Sequence, residues 1–405
     1  MFDATSVRRE FPILDQQVHG KPLVYLDNAN TTQKPVAVLE ALDHYYRADN
    51  ANIHRATHLL SERATRAYEG ARGLVAGFLN AHDSSEIVFT RGCTEAINLV
   101  AFSFARPRLQ PGDEILVTRM EHHSNIVPWQ MVAQQTGAVL RVVPMDERGV
   151  LDLGAYEQLL GPRTAVAALI HVSNALGTVN PVRQMIEMAH ARGVPVLLDG
   201  AQAAPHLPVD VQALDCDFYA LSAHKMYGPT GIGALYGRAR LLEEMPPWMG
   251  GGDMIASVTF EHTEYNRVPY KFEAGTPNIA GVVGFGAAVS FLQRFNLREI
   301  AAHEHALLTH ASAALGAIDG VRLIGTAPER AGVVSFLVGD VHPHDVGTFL
   351  DRDGVAVRTG QHCAQPIMDF YGIPSTVRAS FAMYNTEDDV EALVAGVHNV
   401  LRFFG

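Results

Sequence analysis

Asp217-Phe218-Tyr219-Ala220-Leu221, followed by Ser222-Ala223-His224-Lys225-Met226-Tyr227-Gly228-Pro229, is the stretch whose reading decides the fold of this chain. Its first five residues are an aromatic and apolar run, the pattern of a strand buried on both faces of a parallel sheet. Lys225 therefore stands where such a strand ends, at the edge where α/β proteins bind ligands. A serine and a histidine precede it and a Gly-Pro turn follows, a setting that suits an amine held in a pocket to form a Schiff base. Read alone, a lysine on a turn is far more often a plain surface residue, because chance dominates short matches.

The upstream run Val194-Pro195-Val196-Leu197-Leu198-Asp199 reverses those odds, because it ends in a carboxylate followed by Gly200-Ala201-Gln202. Pyridoxal 5'-phosphate works as an electron sink only while its ring nitrogen stays protonated, and a fixed carboxylate beside that nitrogen raises its pKa. A strand-end Asp is also an ordinary turn residue. The two motifs together are more specific than either, and on them the chain resembles the fold-type I pyridoxal-phosphate enzymes of the class V aminotransferase group. That resemblance implies an α/β fold: a large domain with a mostly parallel sheet covered by helices, and a smaller α+β C-terminal domain.

Composition agrees with a globular chain of two lobes. The 405 residues exceed one small core, and 48% are hydrophobic against 18% charged. A net charge of -12 without a clustered basic face argues against nucleic acid as a partner. Met1-Phe2-Asp3 opens without a basic or apolar leader pattern, and no apolar run approaches the ~20 residues of a membrane span, so no membrane association and a cytoplasmic location are expected. Three dispersed cysteines, Cys93, Cys216 and Cys363, suggest neither a disulfide framework nor a zinc site. Nineteen histidines include the adjacent pair His122-His123, but no H-x-x-x-H helix occurs, and no metal is expected.

Along the chain, Val7 to Phe11 reads as a short amphipathic helix, Leu23 to Asp27 as a strand, and Pro35 as a helix start. Asn52-Ile53-His54-Arg55 reads equally as a functional cluster or an exposed loop. Glu86 to Thr90 is a strand, and Arg91-Gly92-Cys93-Thr94-Glu95 then feeds a helix marked by Ile97, Val100, Ala101 and Phe104. A glycine turn at a helix N-terminus offers free N–H groups to a phosphate, although Thr94 also serves as a plausible N-cap. Glu114 to Thr118 runs as a strand into Glu121-His122-His123-Ser124-Asn125, where a ring could lie flat on a cofactor or simply pack. Ala165 to Ile170 is a strand ending in His171-Val172-Ser173-Asn174, and Asn174 either caps a turn or meets a substrate carboxylate. Val182, Met185, Ile186 and Ala189 mark a core helix.

This alternation over residues 20–290 implies a parallel sheet. The large domain is expected over residues 17–293 and the small one over 294–405, with 1–16 packing on the latter. Gly332 to Val338, Val355 to Arg358 and Thr376 to Phe381 read as strands of the small lobe. Val390, Leu393, Val394, Val397 and Leu401 give the last helix its apolar face. Arg358-Thr359-Gly360-Gln361-His362-Cys363-Ala364 places a cysteine on a polar loop, where Arg358 and His362 could favour its thiolate. Arg378 on the following strand can clamp a carboxylate.

These segments, with Glu121 through Trp129, Ser222 through Lys225 and Phe272-Glu273-Ala274-Gly275-Thr276-Pro277, resemble the SUF-type (SufS-like) cysteine desulfurases over essentially the whole chain. The resemblance implies that Lys225 binds pyridoxal 5'-phosphate covalently, Asp199 pairs with the pyridine nitrogen, Gln202 bonds the phenolic oxygen and His122 stacks on the ring. It implies further that Thr94, Ser222 and His224 hold the phosphate, and that Thr276 reaches the phosphate of the other subunit of a homodimer. Asn174 and Arg378, with Arg358, would bind the carboxylate of L-cysteine. Cys363 would accept sulfur and pass it to a SUF-type acceptor protein for iron-sulfur cluster assembly; selenocysteine lyase activity is compatible with the same site. The chain departs from the commoner family pattern at Cys93, read as filling space near the phosphate end, at Asn30 and at Gln361. An aminotransferase of the same fold and a non-catalytic sulfur-assembly partner are the rival readings.

Overall fold

The computed structural model describes residues 2–404. Seven strands form the main sheet: β1 (Ile87–Thr90), β2 (Glu114–Thr118), β3 (Val139–Val143), β4 (Thr164–Ile170), β5 (Val196–Asp199), β6 (Phe218–Ser222) and β7 (Gly233–Gly237), in spatial order β1-β7-β6-β5-β4-β2-β3. The pairings β2–β3, β2–β4, β4–β5 and β5–β6 are parallel, and β7 alone runs against its two neighbours. Alternate side chains serve two different cores. On β6, Tyr219 and Leu221 enter one cluster with Leu198 and Leu169, whereas Phe218 and Ala220 enter another with Leu197 and Val166. Both faces are thus covered, which is why these strands read as continuous apolar runs in the sequence.

A second sheet, β8 (Val321–Ile324), β9 (Val333–Val338), β10 (Arg358–Gly360) and β11 (Thr376–Ser380), is antiparallel in the order β8-β9-β11-β10. Its Val334, Phe336, Val377 and Ala379 pack against Leu307 and Leu308 of helix Leu297–Gly316, Val346 of helix Pro343–Arg352 and Val390 and Leu393 of helix Glu387–Phe404. The two sheets meet through the N-terminal segment. Arg8 bonds the Tyr384 carbonyl and Asp389, and Phe11 packs against Tyr227, Phe291 and Tyr384.

Local details differ from the sequence expectation in three places. The N-terminal helix is Ala4–Arg8 rather than Val7 to Phe11, because Asp3 caps it by accepting the Ser6 N–H at 3.1 Å and Pro12 opens a separate 3-10 turn. The strand expected over Leu23 to Asp27 is only Val24–Tyr25, and it pairs in parallel with Val355–Ala356 of the C-terminal region. Val355 to Arg358 accordingly splits: Val355–Ala356 goes to that pair, while Arg358 begins β10.

Candidate active site

The carboxyl ends of β2, β4, β5 and β6 open on the same edge of the sheet, and each delivers one or more of the residues singled out above. Gly200, just past β5, is required there by close approach: a Cβ at this position would lie 2.0 Å from Tyr219 Cε1. The chain can therefore turn against the sheet directly after Asp199. Lys225 ends the 3-10 turn Ala223–Lys225 that continues β6.

A cavity of about 160 Å³ is lined by Lys225, Asp199, His122, Gln202, Asn174 and Ser222, with Thr94 and His224 at its margin. Cys93, Thr94, Ser222 and His224 also border an adjoining cleft of about 560 Å³, so the cavity opens toward the start of helix Cys93–Leu99. Together they fall in the size range of small-molecule sites, about 300–1,000 Å³. The Lys225 amine has no hydrogen-bond or ion-pair partner among the described residues, and burial holds its pKa below the ordinary lysine value against the pull of Asp199. Asp199 is 3% exposed; its Oδ1 accepts the Ala201 N–H at 3.0 Å and the Cys93 thiol at 3.2 Å, and its Oδ2 has no hydrogen-bond partner among the described residues. An unpaired half-buried amine and an unpaired buried carboxylate oxygen facing one small cavity fit pyridoxal 5'-phosphate.

The other lining groups are donors or neutral rings. His122 Nδ1 accepts the Ser124 N–H at 3.1 Å, so the proton of the neutral ring sits on Nε2; burial, reinforced by the charge of Lys225, pushes its pKa down to about 3. The ring is uncharged at neutral pH, which favours a flat apolar contact over proton transfer. His224 is held down to about 4, again chiefly by burial. Gln202 Nε2 donates to the Ala29 carbonyl at 2.5 Å with one of its two protons. The Ser222 hydroxyl accepts the Cys93 N–H at 2.8 Å. Thr94 is exposed and does not cap the helix; Gly92 occupies the N-cap with φ 151°, which corrects the capping alternative.

Two arginines flank this cavity from the second sheet. Arg358 and Arg378 stand directly opposite each other on β10 and β11. Like charges so placed oppose pairing, and Asp27 offsets them in part. Arg378 is 1% exposed; one terminal nitrogen donates to the Asn174 carbonyl at 2.8 Å and the other to Asp27 Oδ1 at 3.2 Å, while its Nε is unpaired. Burial brings its pKa down to about 10. The arginine pair is thus one anion short. Asn174 donates to the His362 carbonyl at 2.6 Å and keeps its Oδ1 unpaired. His123 donates its N–H to the Cys363 carbonyl at 2.7 Å and accepts the Gln365 N–H at 3.0 Å. These bonds pin a loop whose His362 and Cys363 both have positive φ, 55° and 54°. Cys363 is exposed on it and lies within electrostatic reach of Lys225 and Arg378.

The structure brings together Lys225, Asp199, His122, Gln202, Ser222, His224, Thr94 and Asn174 around one cavity, with Arg358, Arg378 and Cys363 beside it. Thr276 is not among them. It is exposed and lines a separate surface cleft with Tyr68 and Glu273. Sequence reasoning passed over Asp27, which it read only as the end of a short strand. It passed over the role of Glu121 as well. That buried carboxyl accepts Thr118 Oγ1 and Asn125 Nδ2, each at 2.7 Å, and the Ile170 N–H at 2.8 Å, joining the ends of β2 and β4 to the His122 turn. Burial pushes it up to about 8. Cys93, read as space-filling, makes a directed hydrogen bond to Asp199 instead. Among the described residues no group of three or more His, Cys, Asp or Glu could hold a metal ion, and no helix is long and apolar enough to cross a membrane.

Comparison with known proteins agrees with this geometry. The class-V aminotransferase family model matches residues 24–393. A cysteine desulfurase of Synechococcus elongatus is 54% identical over 98% of the chain, and a probable cysteine desulfurase of Xylella fastidiosa is 51% identical over 100% of it. The chain covers 97% of the Xylella protein but only 64% of the Synechococcus one and 58% of a Mycolicibacterium paratuberculosis relative. Among solved structures, the cysteine desulfurase CsdA of Escherichia coli superposes with a TM-score of 0.93 at 45% identity, covering 100% of this chain and 99% of its own. An apo cysteine desulfurase of Thermococcus onnurineus gives 0.94 at 38% identity, with 98% of each chain covered.

Proposed function

The chain belongs to the cysteine desulfurase group of the class-V aminotransferase family, and from that premise we propose that it takes sulfur from L-cysteine as a persulfide on Cys363 and releases L-alanine. The observation that carries this reading is the placement of Cys363. It is an exposed thiol on a loop pinned by Asn174 and His123, beside an amine-bearing cavity and an arginine pair lacking an anion. A transaminase would use the amine and the arginines but has no use for a thiol held there.

Enzymes of this group use pyridoxal 5'-phosphate, which when bound supplies an electron sink for a carbanion at the substrate Cα. Lys225 would hold it through its amine, Asp199 would pair with the ring nitrogen through Oδ2, and Gln202 would use its second amide proton on the phenolic oxygen. His122 would lie against the ring; Ser222, His224, Thr94 and the helix start beside it would take the phosphate. Arg378, through the unpaired Nε, and Arg358 would clamp the substrate carboxylate, with Asn174 lining the same end. The Lys225 amine, whose pKa burial lowers, then moves the Cα proton. The Cys363 thiolate attacks the substrate sulfur; an S–S bond forms as the Cβ–S bond breaks, and protonation at carbon completes alanine.

Thr276, exposed and outside its own chain's cavity, supports a homodimer in which it reaches the partner's phosphate. The Glu121–Trp129 and Arg358–Ala364 motifs support a SUF-type enzyme serving an acceptor protein in iron-sulfur cluster assembly; a cytoplasmic location and a compatible selenocysteine lyase activity belong to the same proposal. The likeness to Escherichia coli CsdA makes a CsdA-type enzyme the alternative. The lobes proposed are 17–293 and 294–405, joined by the pairing of Val24–Tyr25 with Val355–Ala356. The test is to incubate the protein with L-cysteine and a reductant and measure alanine and sulfide together. Equal amounts of both support the reading, and a keto acid with no sulfide would overturn it in favour of transamination.

A further inference from the structure

Asp199 is held at one oxygen only. Its Oδ1 accepts two hydrogen bonds, from the Ala201 N–H at 3.0 Å and from the Cys93 thiol at 3.2 Å, and Oδ2 accepts none among the described residues. Ala201 is two residues on in the same chain turn, so its bond fixes the carboxylate only relative to its own backbone. Cys93 comes from elsewhere, the start of helix Cys93–Leu99 after β1, and it is itself anchored. It is 4% exposed, its N–H donates to Ser222 Oγ at 2.8 Å, and a Cβ on the preceding Gly92 would come within 3.2 Å of that same oxygen. The three elements that meet here carry the residues assigned above to the phosphate, the ring nitrogen and the amine. Cys93 is the residue that ties the first to the second.

The proton state suits a donor. Burial and the neighbouring Asp199 charge both push the Cys93 thiol far above the ordinary range, so it remains S–H and gives its proton to the carboxylate. Cys216 is also buried, and its thiol bonds no side chain among the described residues, which makes it the matched control.

We propose that Cys93 is a positioning residue for the cofactor: its thiol proton, on Oδ1, fixes the rotation of the Asp199 carboxylate so that Oδ2 is presented to the ring nitrogen of bound pyridoxal 5'-phosphate. The proposal rests on the cofactor reading given above. It assigns no chemistry to the Cys93 sulfur, which stays a thiol throughout.

The test uses the holoenzyme and two readouts that do not depend on turnover: the dissociation constant of pyridoxal 5'-phosphate, from its release on dialysis, and the pH midpoint of the bound cofactor's visible absorption. Cys93→Val removes the donor while adding one methyl group, and Cys93→Ser keeps a donor in a smaller side chain. The Val variant is expected to release the cofactor roughly 3–10-fold more readily, the scale of one lost hydrogen bond, and to show a displaced absorption midpoint. The Ser variant should stay within about twofold of wild type on both readouts, as should Cys216→Ala. Should the Val variant fail to fold by circular dichroism, Cys93→Ala takes its place with the same expectation. Wild-type values in the donor-less variants would overturn the proposal, and so would equal losses in Ser and Val, which would mean packing alone. A wild-type protein that takes up no pyridoxal 5'-phosphate would refute the cofactor reading itself, before any variant is compared.

Discussion

Replacing Arg378 by lysine keeps a buried positive charge near Asp27 but reduces a five-donor fork to a single nitrogen. In the structure one proton of each terminal nitrogen of Arg378 is spent, on the Asn174 carbonyl and on Asp27, which leaves the Nε proton and one proton on each terminal nitrogen. A lysine that satisfies either acceptor keeps spare protons on that same nitrogen but no longer presents a fixed fork to a substrate carboxylate. The loss is one hydrogen bond between charged groups, roughly 1.5–3 kcal/mol. At about 1.4 kcal/mol per decade, kcat/KM for L-cysteine should fall roughly 10- to 100-fold, mostly through KM if the bond is as strong in the ground state as in the transition state. Arg378→Ala should fall at least as far and also lose fold stability. Burial already raises the Asp27 pKa and the two arginines pull it back, so removing one leaves a partly buried carboxylate undercompensated. The assay is alanine formed against cysteine concentration, paired with thermal unfolding of each variant. A kcat/KM within twofold of wild type for Arg378→Lys, at unchanged Tm, would refute the clamp and move it to Arg358.

Cys363→Ala should bind pyridoxal 5'-phosphate as wild type does, since Lys225 and Asp199 are untouched, while alanine release collapses; Cys216→Ala should remain active, and parallel activity in both would sink the acceptor role. Lys34 donates to the Thr32 and His224 carbonyls, pairs with no carboxylate among the described residues, and burial lowers its pKa from 10.5 to about 8. The unfolded chain then binds more protons between about pH 8 and 10.5, so this group makes stability rise with pH across that window, by roughly 2–3 kcal/mol, and urea unfolding of Lys34→Met should lack that rise. His190 is held by Asp217 at 2.8 Å and Asp215 at 3.2 Å, and its pKa is raised first by the Asp217 hydrogen bond. Its stabilisation is fully present below the unfolded value of about 6.5 and is lost as pH rises through the higher folded value; a His190→Gln curve parallel to wild type from pH 5 to 9 would contradict this.

The buried strands were legible because a parallel sheet covered on both faces needs apolar residues at every position, and Leu197-Leu198 or Phe218 through Leu221 supply them without a break. Lys225 and Asp199 were legible as polar residues at the ends of such runs. Pairings distant in sequence were not. Nothing local tells that Val24–Tyr25 joins Val355–Ala356, or that Asp27 meets Arg378 some 350 positions on, because hydrogen-bond partners across a fold leave no periodicity. Helix ends were misplaced for the same reason: Thr94 has the chemistry of an N-cap, but the cap is set by backbone angle, and Gly92 holds the angle. Cys93 shows the limit most clearly. Its residue type suits a small buried hydrophobe, and only the contact with Asp199 at 3.2 Å gives it a directed role.

The central claim is that sulfur leaves cysteine onto Cys363, and mass spectrometry of the protein's own peptides tests it most directly. The protein is exposed briefly to L-cysteine without reductant, alkylated and digested. The account predicts one extra sulfur on the peptide carrying Cys363, none on those carrying Cys93 or Cys216, and none anywhere when Lys225 is replaced by alanine. Extra sulfur on another cysteine, or full alanine release with Cys363 unmodified, would contradict it.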